Sequence, residues 1–256
     1  MRSPLLRIAL AAAPVLLLAG CATARSAAPV ATSRPGLVRP AGTVAPGHVQ
    51  LEAGYSRAEL DGRTRHLVGE TLVRVGVLPR TELRGGWASY QRTITSAATV
   101  EGAGDLSVSF KHRFNDARGW VPAVALTAGT TLPTGADAVS AGEAQPEGAL
   151  AADWMLPGGY RVMGSAARRS AVAGDDRFGS TTLGVAGRVP LGARVFGQLE
   201  YTNTVVTRAG AVDVGQLRAG AALRLTHDVQ LDAYAARAGV GNRHEYLVGV
   251  GLTSRW

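Results

Sequence analysis

The chain has 256 residues, enough for one barrel or for one to two ordinary soluble domains, and a formal charge of +8 at pH 7. Its basic residues are scattered singly along alternating segments, with no basic run and no stacking set of aromatics, which excludes a nucleic-acid-binding surface. The single cysteine, Cys21, allows no intrachain disulfide.

The first segment reads as an export signal. Arg2 and Arg7 precede an apolar run, Ile8 to Ala19, that is broken by Pro14 and too short to span a bilayer as a helix. It ends in Leu18-Ala19-Gly20-Cys21, the pattern of a lipobox, in which the cysteine would be lipidated and become the new N-terminus. Ala22 follows, not the aspartate that favours retention in the inner membrane. The alternative is an ordinary secretory signal cut after Ala22-Thr23-Ala24, a small-x-small site. Both send the protein out of the cytoplasm. Loss of Arg2 and Arg7 leaves a charge of +6. The expected division is a signal over residues 1–20, a flexible tether over 21–46, and a barrel over 47–256. Because 22–46 is rich in Ala, Pro, Ser, Thr and Val, the tether could equally thread the periplasm or the barrel mouth.

From His48 onward the chain is a series of short alternating runs broken by turn residues, the period-two signature of strands with two unlike faces. Val49, Leu51, Ala53 and Tyr55 share one face, with Gln50, Glu52, Gly54 and Ser56 opposite. About twelve runs are centred near Glu52, Val73, Arg84, Val108, Ala125, Ala152, Gly164, Gly184, Gln198, Ala221, Asp232 and Gly249. Each is about as long as a tilted membrane-crossing strand. Tight joints are expected at Leu78-Pro79-Arg80, Leu156-Pro157-Gly158-Gly159, Val189-Pro190-Leu191-Gly192 and Thr226-His227-Asp228. Longer connections are expected at Thr93–Gly104, Pro133–Gly148, Val205–Asp213 and Ala171–Arg177. Short turns on one side and longer loops on the other is the outer-membrane pattern.

The fold class expected is therefore all-β, an antiparallel transmembrane β-barrel of about twelve strands. A lipid-anchored soluble sandwich or lipocalin-like barrel would alternate too. Three features favour the membrane form. One face carries charge at mid-strand while the other is almost uncharged. The chain ends on an aromatic, Trp256, in an alternating last strand, which looks like the signal read by the barrel-assembly machinery. Trp87, Trp120, Trp154, Tyr160, Tyr201 and Tyr246 fall where interfacial girdles sit. Such a protein has outer-membrane lipids and the assembly machinery as partners and sits in the outer membrane of a Gram-negative cell.

The residues then match a known pattern. Pro46-Gly47-His48-Val49-Gln50-Leu51-Glu52-Ala53-Gly54-Tyr55 is followed by Leu72-Val73-Arg74-Val75-Gly76-Val77 and Thr81-Glu82-Leu83-Arg84. Gly104-Asp105-Leu106, Phe110-Lys111 and Leu132-Pro133-Thr134-Gly135 come next, and Val229-Gln230-Leu231-Asp232 and Gly249-Val250-Gly251-Leu252-Thr253-Ser254-Arg255-Trp256 close the chain. The order and spacing of these motifs resemble the outer-membrane "transporter" family also labelled "putative MetA-pathway of phenol degradation". The resemblance implies an outer-membrane barrel that moves small, aromatic or hydrophobic, molecules. The lipobox departs from the plain secretory signal usual among its members.

No chemistry of catalysis stands out. There is no G-x-S-x-G elbow and no H-E-x-x-H, and His48, His66, His112, His227 and His244 are dispersed. No Cys/His cluster or acidic loop suggests a metal, and no cofactor is expected. The functional candidates are instead the polar face. Alternation puts Glu52, Glu70, Arg74, Glu82, Arg84, Asp105, Lys111, Arg113, Asp153, Glu200, Arg218, Arg224, Asp232 and Arg255 together, seven acids and seven bases. Closing the sheet turns that face onto the lumen. Such charges either bridge one another and fill the bore or line a narrow wet pore for a small solute. The balanced set gives no selectivity by itself, and only the +6 of the exported chain hints at a preference for anions or anionic aromatics.

Overall fold

The computed structural model describes residues 28–34 and 36–256. Cys21 lies outside them. The strands are β1 (Val49–Leu60), β2 (Arg63–Leu78), β3 (Thr81–Trp87), β4 (Tyr90–Ile94), β5 (Thr99–Ala103), β6 (Leu106–Arg113), β7 (Ala123–Leu132) and β8 (Gln145–Met155). They continue with β9 (Arg161–Ala173), β10 (Asp176–Pro190), β11 (Val195–Val206), β12 (Val214–Arg224), β13 (Val229–Val240) and β14 (Arg243–Arg255).

Every pairing is antiparallel, and the sheet closes where β1 meets both β2 and β14, with Gln50 opposite Arg255 and Glu59 opposite Tyr246. Two staves of the barrel are broken. The first part of β2 pairs with β4 and its second part with β3, while β5 pairs with β4 and β6 with β3. Counting β3–β4 and β5–β6 as one stave each, the barrel has twelve. No helix among the described residues is long and apolar enough to cross a membrane.

The barrel is turned inside out relative to a soluble one. Leu106, Val108 and Phe110 on β6, Leu183 and Val185 on β10, and Tyr246, Val248, Val250 and Leu252 on β14 are exposed. Glu52, Arg74, Glu82, Lys111, Asp153, Glu200 and Arg255 are buried. The apolar band suits lipid, which would contribute roughly 25 cal/mol for each Å² of apolar surface it shields from water.

Turn chemistry corrects the expected loops. Asp61 and Gly62 both have positive φ (46° and 74°) and join β1 to β2 as a two-residue hairpin of the Asp-Gly kind. Ala171–Arg177, expected as a longer connection, is strand except for residues 174 and 175, with Gly174 at φ 60°. Thr93–Gly104, also expected as a loop, holds most of the β4–β5 hairpin. Short and long connections therefore occur at both ends. One end carries both the start of β1 and the close of β14, and is called the terminal end here; the other, with residues 61–62, 133–144 and 241–242, is the hairpin end.

Candidate functional site in the lumen

The described part of the segment, read from composition as a flexible tether or as one threading the periplasm or the barrel mouth, is enclosed by the barrel. Residues 28–34 and 36–46 run inside the barrel, and Val30, Val38, Ala41 and Val44 are buried. Composition signals the lack of regular structure here, but an irregular chain enclosed by a wall still has to satisfy its backbone groups. The inward charges of the strands do this. Glu52 accepts from Thr32 Oγ1 at 2.8 Å and from the Ser33 amide at 3.1 Å. Glu200 accepts the amides of Leu37 and Val38 at 2.7 and 3.3 Å, Asp153 that of Ala41 at 2.7 Å, and Glu82 that of Val44 at 2.6 Å.

The carbonyls are met by cations and amides. Arg74 donates to Ala31 O at 2.9 Å and to Gly42 O at 3.1 Å. Lys111 donates to Gly42 O at 2.8 Å and also to Pro40 O, Gln50 to Ala31 O at 3.0 Å, and Arg255 to Ala28 O at 2.9 Å. Arg74 is the hub, because it also pairs with Glu52 at 3.0 Å and Glu82 at 2.9 Å. Hydrogen bonds to charged groups contribute about 1.5–3 kcal/mol each, and leaving such a group buried without its partner costs more.

Two arginines of the segment reach outward to the wall. Arg34 pairs with Asp232 at 3.2 Å and Glu70 at 3.7 Å, and donates to Val250 O at 2.9 Å. Arg39 pairs with Glu147 at 2.6 Å. Wall glycines make the room. A Cβ on Gly54 or Gly251 would stand 2.5 or 2.1 Å from the Arg34 guanidinium, and one on Gly76 would stand 2.0 Å from Ala45 O. Small apolar contacts complete the packing: Ala41 with Ala123, Ala125 and Ala151, and Val38 with Met163 and Ala186.

The structure therefore brings Glu52, Glu70, Arg74, Glu82, Lys111, Asp153, Glu200, Asp232 and Arg255 onto one inner segment. Arg84 touches the segment at its margin, and the others have different neighbours. Arg84 stands 3.6 Å from Glu82 and 3.5 Å from Ser33 Oγ. Arg113 pairs with Asp116 at 2.6 Å in the β6–β7 connection. Asp105 sits at the break between β5 and β6 and holds the 133–144 loop through Gly135 N, Ser140 Oγ and Ala141 N, at 2.9, 2.7 and 3.1 Å. Arg218 lies 3.5 Å from Glu200 and 3.9 Å from the centre of the Tyr234 ring. Arg224 shows no side-chain partner among the described residues, and its Nε is buried. Trp256 is 51% exposed, and its amide donates to Val49 O at 2.9 Å.

Sequence reasoning missed Arg34, Arg39 and the backbone of the segment. The available signal was the set of inward glycines at mid-strand, which no packed lumen of side chains alone requires. Of the six aromatics expected at the interfaces, Trp120, Tyr160, Tyr201 and Tyr246 are exposed. Trp87 is half-buried, donates to Gly104 O at 3.1 Å, and lines two chambers of the lumen.

Beyond the segment, toward the hairpin end, the lumen opens. Chambers of about 420 and 470 Å³ share Thr71, Leu72, Trp87, Ala88 and Gln91. A third, of about 310 Å³, lies against Leu37, Arg39, Glu147, Arg169 and Phe178. No group of side chains suited to a metal occurs among the described residues. Four histidines each meet a different neighbour: His48 the carbonyl of Pro46, His66 Tyr55, His112 Thr81 and His227 Asp228.

Residues 32–253 match the family described as "Putative MetA-pathway of phenol degradation". The chain belongs to this family. Among solved structures, this MetA-pathway family chain is similar to an outer membrane channel from Pseudomonas putida F1, with a TM-score of 0.63 and 16% identity over 84% of this chain and 98% of that one. The KdgM porin is similar with a TM-score of 0.50 and 12% identity, over 78% of this chain and 97% of that one. At these identities the likeness establishes the fold, that of outer membrane barrels. No curated protein matches the chain by sequence.

Proposed function

We propose that this family member sits in the outer membrane as a channel for passive passage of small solutes, aromatic or hydrophobic ones among them. The observation that carries the reading is the pair of chambers above the inner segment. They give an apolar-walled barrel a solute-sized interior where Trp87, Leu72 and Leu67 stand beside Arg65, Glu70 and Gln91. The segment closes the way to the terminal end, so passage requires it to shift. In this reading Trp256, outward on the last strand, is the handle for the assembly machinery, and lipid on Cys21 is a second attachment to the membrane. The reading assigns no catalytic residue.

A second reading has one observation in its favour. The segment is bound through buried carboxylates and buried Arg74, as a permanent plug would be, and the barrel would then bind a partner or serve a structural role without transport. Uptake of a labelled small aromatic by porin-deficient cells separates the two. Faster uptake with the protein than without it supports the channel, and equal uptake supports the plug. Location is tested by carbonate and urea extraction of a Cys21→Ala variant: a membrane barrel stays in the pellet, whereas a lipid-anchored soluble domain is released.

A further inference from the structure

The charges of the inner wall are not balanced everywhere. At the terminal end of the β9–β12 wall, Arg161 and Arg188 are direct cross-strand partners, and like charges directly opposite one another destabilise a sheet. Arg161 pairs with Asp153, a carboxylate already accepting the Ala41 amide. Among the described residues Arg188 has only a neutral hydrogen-bond partner, Gln198 Oε1, at 3.1 and 2.8 Å from its Nε and Nη2, and it lies over the Phe196 ring at 4.2 Å. The other charges acting on Arg188 are those of Arg224 and Glu200. Glu200 is taken by Leu37, Val38 and Arg218.

Around Arg188 the guanidiniums of Arg161 and Arg224 thus face only two carboxylates, Asp153 and Glu200, and both are already engaged with the inner segment. The Nε atoms of Arg161 and Arg224 are buried without a hydrogen-bond partner among the described residues. Buried donors are nearly always satisfied, and guanidiniums match planar oxyanions with paired N–H bonds. All three arginines are partly buried, with the Arg161 side chain 14% exposed, which leaves an edge of each open to a small molecule.

We propose that Arg161, Arg188 and Arg224 form an anion site at the terminal end of the lumen that takes the carboxylate of a small organic acid. This deepens the channel reading by giving a transported solute its charge. The route of the solute rests on that reading, whereas the binding does not. Arg224 and the Nη1 of Arg188, which Gln198 does not use, supply N–H groups to the acid, and the Phe196 edge of the site favours one with an apolar body.

Calorimetric titration of benzoate into the refolded chain, lacking only its export signal, tests the site. Benzoate is expected to bind at least ten-fold more tightly than benzyl alcohol. A double Arg188→Gln and Arg224→Gln variant should lose at least ten-fold in benzoate affinity, while Arg57→Gln on the outer wall should lose none. Heat-modifiable mobility on a gel shows that each variant has folded. If the glutamine pair does not fold, Arg188→Lys with Arg224→Lys replaces it, and there a loss of about three-fold or more is expected because charge stays but the planar fork goes. Equal binding of benzoate and benzyl alcohol, no binding of benzoate, or an unchanged affinity in the folded double variant would overturn the site. Uptake without benzoate binding overturns the site and leaves the channel; benzoate binding without uptake does the reverse.

Discussion

Near the terminal end, Glu52, Arg74, Glu82 and Lys111 are buried and all bonded to the inner segment. Toward the hairpin end, Arg65 and Arg169 face open chambers, and their pairs with Glu245 (3.5 Å) and Glu147 (2.8 Å) are partly solvated. Both sets come from the same inward alternation. What separates them is the backbone of the segment, which lies across the first set and reaches the second only through the Arg39 side chain on Glu147. A wall charge therefore has two different roles: where the segment covers it, it is a structural acceptor or donor for backbone, and where water reaches it, it shapes the space a solute would enter.

The largest effect should come from Arg74→Ala. Glu52 would be left buried without its cation and Glu82 with only Arg84, at 3.6 Å, at a cost of about 3–5 kcal/mol, measured as a shift in the urea midpoint of the refolded barrel. Arg65→Ala in the open half should cost under about 1 kcal/mol. Equal costs would erase the distinction between the two halves. Next is Gly76→Ala, whose Cβ would meet Ala45 O at 2.0 Å. It should cost about 1–3 kcal/mol or expel the segment to protease, while Gly85→Ala, with open space around its Cβ, should do neither.

Glu200→Gln should follow, because the Leu37 and Val38 amides lose a charged acceptor. The expected loss is about 1.5–3 kcal/mol, read as faster exchange of those two amides while the β11–β12 ladder stays protected. The smallest effect lies in the β12–β13 turn. Burial alone would raise the carboxyl of Asp228, but hydrogen bonds from Arg255 and His227 outweigh it and hold it below the usual range. A depressed value means the stabilisation is present above the ordinary carboxylate range, near pH 4, and is lost as pH falls through the folded value. The stability gap between the native protein and Asp228→Asn should thus shrink on acidification below about pH 4, and a gap that widens there would contradict the assignment.

The twelve strand centres read from alternation all fall within barrel staves, because side-chain period survives even where turns are misjudged. The misses have local causes. Residues 93–104 carry few large apolar side chains, so the short β4–β5 hairpin has little pattern to show, and Gly174-Asp175 turns the chain in two residues where composition suggested more. The path of the inner segment, beyond the threading of the barrel mouth that composition allowed, was illegible for a different reason. Its place is fixed by backbone N–H and C=O groups meeting Glu52, Glu200, Asp153, Glu82 and Arg74, and backbone groups leave no trace in residue identity. Only Arg34, Arg39 and the facing glycines, Gly54, Gly76 and Gly251, mark the path.

Single-channel conductance of the refolded native chain beside a variant lacking residues 28–45 tests most directly whether the chain's own segment closes the lumen. Small or absent steps from the native protein and discrete, several-fold larger steps from the variant are the predicted result. Equal conductance from the two, with both shown to be folded and inserted, would contradict it.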